Sequence, residues 1–228
     1  MASPIASIFN RIAPHYDLLN HLLSFNIDKR WRKKALKGHV SKETQTALDI
    51  ACGTGDFALA LHKKGVQHIN GVDISEKMVE VGQVKVAKKG LSKQIELTTG
   101  DCAALPFSDN TFDVITVAFG VRNFEQRAKS LEEMHRVLAP NGETIILEFS
   151  TPQHFPMNQL YGFYFKSILP CVGGLISGDK AAYTYLPNSV YAFPQGDVFM
   201  QEMRAAGFTK VSNKRMTFGI ASIYYGHK

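Results

Sequence analysis

Three groups of residues in this 228-residue chain have types and spacings that could do chemistry. The first is Asp49-Ile50-Ala51-Cys52-Gly53-Thr54-Gly55, an apolar run that ends in a glycine turn. Glycines between a strand and a helix let a ligand come close to the backbone. Gly53 through Ala58 also satisfies the G-x-G-x-x-A spacing of dinucleotide-binding turns. Asp73 ends the next apolar run, where a carboxylate can accept from both hydroxyls of a ribose, whether in NAD or in S-adenosylmethionine.

Three features favour S-adenosylmethionine. Asp49 stands four residues before Gly53, where a carboxylate helps hold a cationic methionine end and repels a pyrophosphate. Asp101 follows a third apolar run, and Gly100-Asp101-Cys102 is placed to contact an adenine edge. Two apolar runs close the chain, and a terminal hairpin belongs to methyltransferase sheets, not to nicotinamide domains. The plainer reading of Asp73 is a helix cap, but Ser75 is the better-placed N-cap.

The second group is Phe119-Gly120-Val121-Arg122-Asn123-Phe124. It follows a strand-like run, and open α/β sheets bind ligands at the carboxyl ends of their strands. Arg122 supplies an anion binder and Asn123 a neutral hydrogen-bond donor beside it. The plainer reading pairs Arg122 with a surface acid such as Glu125. The third group lies in Ala13–Ser24, where Tyr16 and Asn20, four apart, share a helical face flanked by His15 and Asp17. Periodicity alone equally fits an ordinary amphipathic helix there.

The elements that must position these groups alternate from residue 46 onward. Strands are expected at Thr46–Ala51, His68–Asp73, Ile95–Thr99, Phe112–Phe119 and Glu143–Phe149. Helices are expected at Phe57–Lys64, Ser75–Lys89 and Glu125–Leu138, the last stopped by Pro140-Asn141-Gly142. Such alternation implies a parallel sheet covered on both faces. A helix at Val198–Ala206 and strands near Lys210–Met216 and Ala221–Tyr225 follow. Before residue 46, helical spacing at 5–23 is broken by Pro14, and 28–38 reads as a short basic helix around Trp31. The chain thus divides into an N-terminal helical cap, 1–42, and a catalytic domain, 43–228. Within it, 150–195 is an apolar and aromatic lid or insertion, since Phe149–Gly178 holds one formal charge, Lys166.

Composition excludes several classes. Apolar residues make up 45%, enough for a core and against disorder. Cys52, Cys102 and Cys171 have neither metal-ligand nor disulfide spacing, so no metal site is expected. No uncharged run reaches transmembrane length, and the N-terminus has no signal-peptide pattern. The net charge of +6 lies wholly in residues 1–42, which hold eight basic and two acidic side chains; residues 43–228 hold 18 of each. A neutral body with one basic end argues against nucleic acid and for a transient contact with anionic lipid, or else for a solvated helix face.

Taken together the motifs resemble the ubiquinone/menaquinone biosynthesis C-methyltransferase family (UbiE/MenG type). Tyr16-Asp17-x-x-Asn20-x-x-Leu23-Ser24 with Asp28-x-x-Trp31 carries the resemblance, as does Arg136-Val137-Leu138-Ala139-Pro140-Asn141-Gly142 running into Leu147-Glu148-Phe149-Ser150. Leu105-Pro106-Phe107, Asp109-Asn110-Thr111-Phe112-Asp113 and Phe119–Asn123 match in order. Ala51 stands where many methyltransferases have Gly, Asn141 where the family often has Gly, and Ala118 where some relatives have Ser.

The resemblance implies a Rossmann-like class I fold: a mostly parallel seven-stranded sheet with a terminal antiparallel hairpin and an α-helical insertion. It implies S-adenosylmethionine as methyl donor, S-adenosylhomocysteine as product and C-methylation of a polyprenylated quinol, demethylmenaquinol by a mild preference. A ubiquinone-pathway benzoquinol, or a sterol or small phenol, is the alternative. The cofactor contacts it implies, with the residue reading above, are Asp49, Gly53, Thr54, Gly55, Asp73, Ile74, Asp101, Cys102 and Ala118. For the reaction, Arg122 is expected to stabilise a phenolate, Tyr16 to relay its proton with His15 or Asp17, and Asn20 and Asn123 to orient ring hydroxyls. The apolar segment would hold the isoprenoid tail, or form its own subdomain or a homodimer contact. With no room for a presequence, the expected setting is a bacterial cytoplasm, peripheral at the inner membrane.

Overall fold

A computed structural model describes residues 4–41, 43–168 and 180–228. Cys171 and the middle of the apolar segment, 169–179, lie outside the described residues. Seven strands form one sheet in the order β3-β2-β1-β4-β5-β7-β6. They are β1 (Thr46–Ile50), β2 (His68–Asp73), β3 (Ile95–Thr99), β4 (Phe112–Ala118), β5 (Leu138–Phe149), β6 (Thr209–Met216) and β7 (Ala221–His227). The first five pair in parallel. β7 enters antiparallel between β5 and β6, which makes the terminal hairpin.

The central parallel strands β1, β4 and β5 are mostly buried because both faces are covered, while β3 at the edge alternates buried and exposed positions. One face packs α3 (Ile27–Ala35), α4 (Asp56–His62) and α5 (Glu76–Lys88) through Trp31, Phe57, Leu61 and Val79. The other packs α6 (Arg127–Val137) and α9 (Asp197–Ala205) through Leu131, Met134, Phe199 and Met203. Period-two alternation decides the sides: Ala47 joins the first cluster, Leu48 the second.

The ends of several elements follow simple chemistry. Ser75 caps α5, its hydroxyl accepting from the Met78 amide. β5 differs from expectation. It begins at Leu138, straight after α6, and contains Pro140-Asn141-Gly142 instead of starting after them. Leu138 pairs with Phe112, and the register then shifts before Val114 pairs with Glu143. The left-handed Asn141 (φ 65°) turns the chain through this irregularity. A Cβ on Gly142 would lie 2.9 Å from the Asp113 carbonyl oxygen, so only glycine fits there.

At the carboxyl edge a separate layer lies over the sheet. α1 (Pro4–Ile12) passes through the 3-10 turn Ala13–His15, which contains Pro14, into α2 (Tyr16–Leu23). Opposite stand α7 (Met157–Phe163), the π-helical turn Tyr164–Ile168 and α8 (Lys180–Ala192). Ile12, Ala13, Tyr161, Phe165 and Val190 join these pieces in a small core of their own. Asn10 fixes α1 to the N-terminus of α5: its side-chain oxygen accepts from the Ser75 hydroxyl at 2.7 Å and the Lys77 amide at 3.2 Å.

Candidate active site

Two cavities open beneath this layer. The first encloses about 810 Å³, open mouth included. Its floor is the glycine turn and the ends of β1, β2, β3 and β4: Ala51, Gly53, Asp73, Ile74, Asp101, Cys102, Ala118 and Gly120. Phe9 and Tyr16 of the N-terminal layer and Phe124 close it. The second encloses about 1440 Å³ and is walled mainly by Ile8, Trp31, Phe149, Tyr161, Phe165 and Leu186. Phe9, Tyr16 and Phe119 line both, so the cavities meet at the Tyr16–Phe119 wall.

Close backbone approach builds the first cavity. Gly53 and Gly55 take positive φ. Ala51 does too (φ 51°), as does Phe119 (φ 61°). A left-handed alanine costs about 1–2 kcal/mol, which the surrounding fold must offset. A Cβ on Gly120 would come within 2.4 Å of Ala51 Cβ, so the loop after β4 can lie against the turn only as glycine.

The carboxylate of Asp73 is already aimed. Its Oδ2 accepts from the Gly53 amide and Oδ1 from the Ser75 amide, both at 2.8 Å. Burial pushes its pKa up against these two bonds. Asp101 accepts from the Ala103 amide at 2.9 Å, and Cys102 Sγ lies 3.2 Å from the Ser130 hydroxyl. Burial pushes the Cys102 thiol up to about 11, so it is a neutral wall group.

Three of the expected cofactor residues are absent from the wall of the cavity. Asp49 is buried below the turn, where it accepts from the Thr116 hydroxyl (2.8 Å) and the Ala58 amide (3.1 Å). It braces β4 and the start of α4. Thr54 is buried with its hydroxyl engaged by Asp17 and Lys85, and Gly55 turns into α4 as its left-handed N-cap.

The expected catalytic residues are spread over the junction and both cavities. Tyr16 lines both cavities, with Asn20 its hydrogen-bond partner; burial raises the Tyr16 pKa, opposed by that bond and by the Arg122 charge. Arg122 faces the second cavity, but its partner is Glu148 and not Glu125. Nη1 donates to Glu148 Oε1 at 2.7 Å and to the Phe119 carbonyl, and Nε donates to Ser189 at 3.1 Å. The parallel register Ala118↔Leu147 puts these two residues side by side at the ends of β4 and β5. Asn123 lines the first cavity and accepts from the Tyr185 hydroxyl at 2.9 Å. Sequence reasoning assigned no role to Tyr185 or Glu148. Glu148 stood only inside a longer motif, and only the weight of aromatics near residue 185 hinted at Tyr185.

Charge settles what the first cavity suits. Asp73, Asp101 and Glu125 face it, and no Lys, Arg or His among the described residues does. A sulfonium and an amino group are favoured there, while a pyrophosphate is repelled. The lining therefore fits S-adenosylmethionine: Asp73 can accept from the ribose hydroxyls, the Asp101–Cys102 edge can meet the base, and Ile74 and Phe124 offer apolar faces.

Comparison with known proteins agrees with this chemistry. The model of the ubiE/COQ5 methyltransferase family matches residues 2–228. A demethylmenaquinone methyltransferase of Bacteroides fragilis is 48% identical over 225 residues, 98% of this chain and 92% of that protein. A ubiquinone/menaquinone biosynthesis C-methyltransferase UbiE of Geobacter sulfurreducens is 46% identical over 98% of this chain and 88% of its own length. Among solved structures, a SAM dependent methyltransferase from Aquifex aeolicus shares the fold at a TM-score of 0.59 and 23% identity, covering 86% of this chain and 88% of its own.

Proposed function

The chain belongs to the ubiE/COQ5 methyltransferase family, and from that premise we propose that it transfers a methyl group from S-adenosylmethionine to a ring carbon of demethylmenaquinol, making menaquinol. The observation that carries the reading is the meeting of an acidic cavity and a larger aromatic one at Tyr16 and Phe119. The cofactor supplies an electrophilic methyl group and leaves as S-adenosylhomocysteine.

A quinol ring carbon becomes nucleophilic when the adjacent hydroxyl loses its proton. Tyr16, hydrogen-bonded to Asn20, is placed to hold that hydroxyl and hand its proton to water as the phenolate forms. Arg122 offsets the phenolate charge, tempered by Glu148, and its Nη2 is the side of the guanidinium left for substrate among the described residues. Asn123 is pinned by Tyr185, so this pair positions the ring edge as one unit. Asp73 holds the ribose, and Phe9 and Phe119 exclude water at the junction.

The second cavity takes the isoprenoid tail, each buried CH2 contributing about 0.8 kcal/mol. Residues 1–42 and 150–195 then act as the two halves of a cover over a catalytic domain. No helix among the described residues is long and apolar enough to cross a membrane. Phe25 (76% exposed) and Leu160 (57%) stand at the tail cavity, and Phe218 (78%) follows Thr217, which lines it. Lys29, Arg30, Lys33 and Lys34 of α3 are exposed nearby. This combination supports transient docking on anionic lipid to collect the quinol.

The reading is tested by supplying labelled S-adenosylmethionine with demethylmenaquinol, a demethylated benzoquinol and a simple phenol in competition, and weighing the products. Methylated menaquinol is expected to dominate; label appearing mainly in the benzoquinol or the phenol overturns the ring assignment.

A further inference from the structure

We propose that Lys85 is a positioning residue for methyl transfer: its ammonium fastens the segment of α2 that carries Tyr16 to the glycine turn beneath the cofactor. Lys85 lines neither cavity. Its Nζ donates to Asp17 Oδ2 at 2.6 Å, Asp56 Oδ1 at 2.8 Å and Thr54 Oγ1 at 3.0 Å. Three acceptors match the three hydrogens of an ammonium. The Thr54 hydroxyl donates in turn to Asp17 Oδ1 at 2.5 Å.

Sequence neighbours give this latch its leverage. Asp17 follows Tyr16, and Thr54 follows Gly53. A Cβ built on Gly53 would meet Tyr16 Cε1 at 3.7 Å, so the phenol ring lies on the turn. The latch thus fixes the distance between the residue proposed to handle the quinol proton and the backbone that seats the methyl donor.

The network continues away from Lys85. His21 Nε2 lies 3.4 Å from Asp56 and its Nδ1 3.0 Å from Asp28. Asp28 accepts from Arg32 at 2.5 Å and from Ser24 at 2.7 Å, and the Arg32 guanidinium stands 5.4 Å over the Phe119 ring. One polar chain therefore runs from α5, past the glycine turn, to the wall shared by both cavities. His21, Asp28 and Asp56 also have the donors of a metal site. Here Arg32 and Lys85 already neutralise the two carboxylates. Burial works to raise the Asp56 pKa, and the Arg32 and Lys85 charges bring it below the ordinary carboxylate range. A latch of this kind explains why Thr54 turns from the cofactor.

The inference rests on the methyl-donor assignment and not on which quinol is used. The test is a double-mutant cycle in the full chain with Lys85→Met and Tyr16→Phe. It reads S-adenosylhomocysteine affinity by calorimetry and single-turnover methyl transfer at saturating cofactor, below the thermal midpoint of each variant. Lys85→Met is expected to slow transfer by about ten- to a hundredfold and to weaken S-adenosylhomocysteine several-fold. The double variant should be little slower than the slower single one, because the lysine acts through the tyrosine. Effects that multiply, or a Lys85→Met enzyme within twofold of the parent in both readouts, overturn the proposal. If Lys85→Met does not fold, the same cycle with Thr54→Val, which keeps every charge, decides between the same two outcomes. Calorimetry needs no quinol, so a wrong quinol leaves that arm readable.

Discussion

Half-buried Asp73 and buried Asp49 both hold the glycine turn, and they do different work. Asp73 faces the cavity, held by the Gly53 and Ser75 amides. Asp73→Ala removes charge-assisted bonds to the ribose and should weaken S-adenosylhomocysteine by about 2 kcal/mol, roughly thirtyfold in Kd. Calorimetry giving an unchanged Kd removes Asp73 from the site. Asp49 faces inward, and burial chiefly pushes its pKa up to about 7, the neighbouring Asp73 charge adding to the rise against the Thr116 and Ala58 bonds. An acid whose pKa is higher folded than unfolded gives stability that is full below the unfolded value and lost as pH rises through the folded one. The Asp49 contribution is therefore present near pH 4 and lost through about pH 7, up to about 4 kcal/mol in all. Asp49→Asn stays neutral throughout. Its melting curves should match the parent near about pH 4.5 and lie above it near about pH 9; parallel pH profiles would show that Asp49 does not set this slope. Read from sequence, both aspartates serve the cofactor, Asp49 before the turn and Asp73 at the end of the second strand. Sequence could not show that Asp49 turns inward, because that depends on Thr116 of the neighbouring strand and the Ala58 amide of α4.

At the scale of elements, β2 and β3 fall where the apolar runs put them, since buried Ile69 and Val72 and buried Ile95 and Leu97 mark the two short runs. The long-range joints were not legible. The start of β5 depends on Phe112 pairing with Leu138 across a bulge, and a local pattern read the Pro-Asn-Gly there as a stop. The partner of Arg122 depends on β4 lying beside β5, which brings Glu148 closer than the neighbouring Glu125. This pairing also changes what Arg122→Ala would report. Glu148 is fully buried, and stranding its charge should cost about 3–5 kcal/mol of stability on top of any catalytic loss. Adding Glu148→Gln should recover stability while turnover stays low. Turnover that returns along with stability would make Arg122 a structural residue.

Over the whole molecule, the excess charge reads differently once folded. Arg32 turns inward to Asp28, so the exposed basic face of α3 is Lys29, Arg30, Lys33 and Lys34 with Lys37 after it. That face adjoins the exposed Phe25 and the tail cavity, an arrangement that periodicity alone could not distinguish from a solvated helix. Near-surface charges contribute about 1 kcal/mol each on anionic lipid. Reversing Lys33 and Lys34 should therefore cut sedimentation with anionic vesicles at least tenfold and leave methyl transfer to a short-tailed, detergent-free quinol unchanged. Equal sedimentation would leave α3 as a solvated face.

The central claim is that the two cavities join a methyl donor to a quinol ring carbon. It is tested most directly by letting the enzyme use 13C-methyl-labelled S-adenosylmethionine on demethylmenaquinol and reading the label by carbon NMR. The label should appear as a methyl on the ring carbon next to a hydroxyl. A label on oxygen, or none on the naphthoquinol at all, would contradict the account.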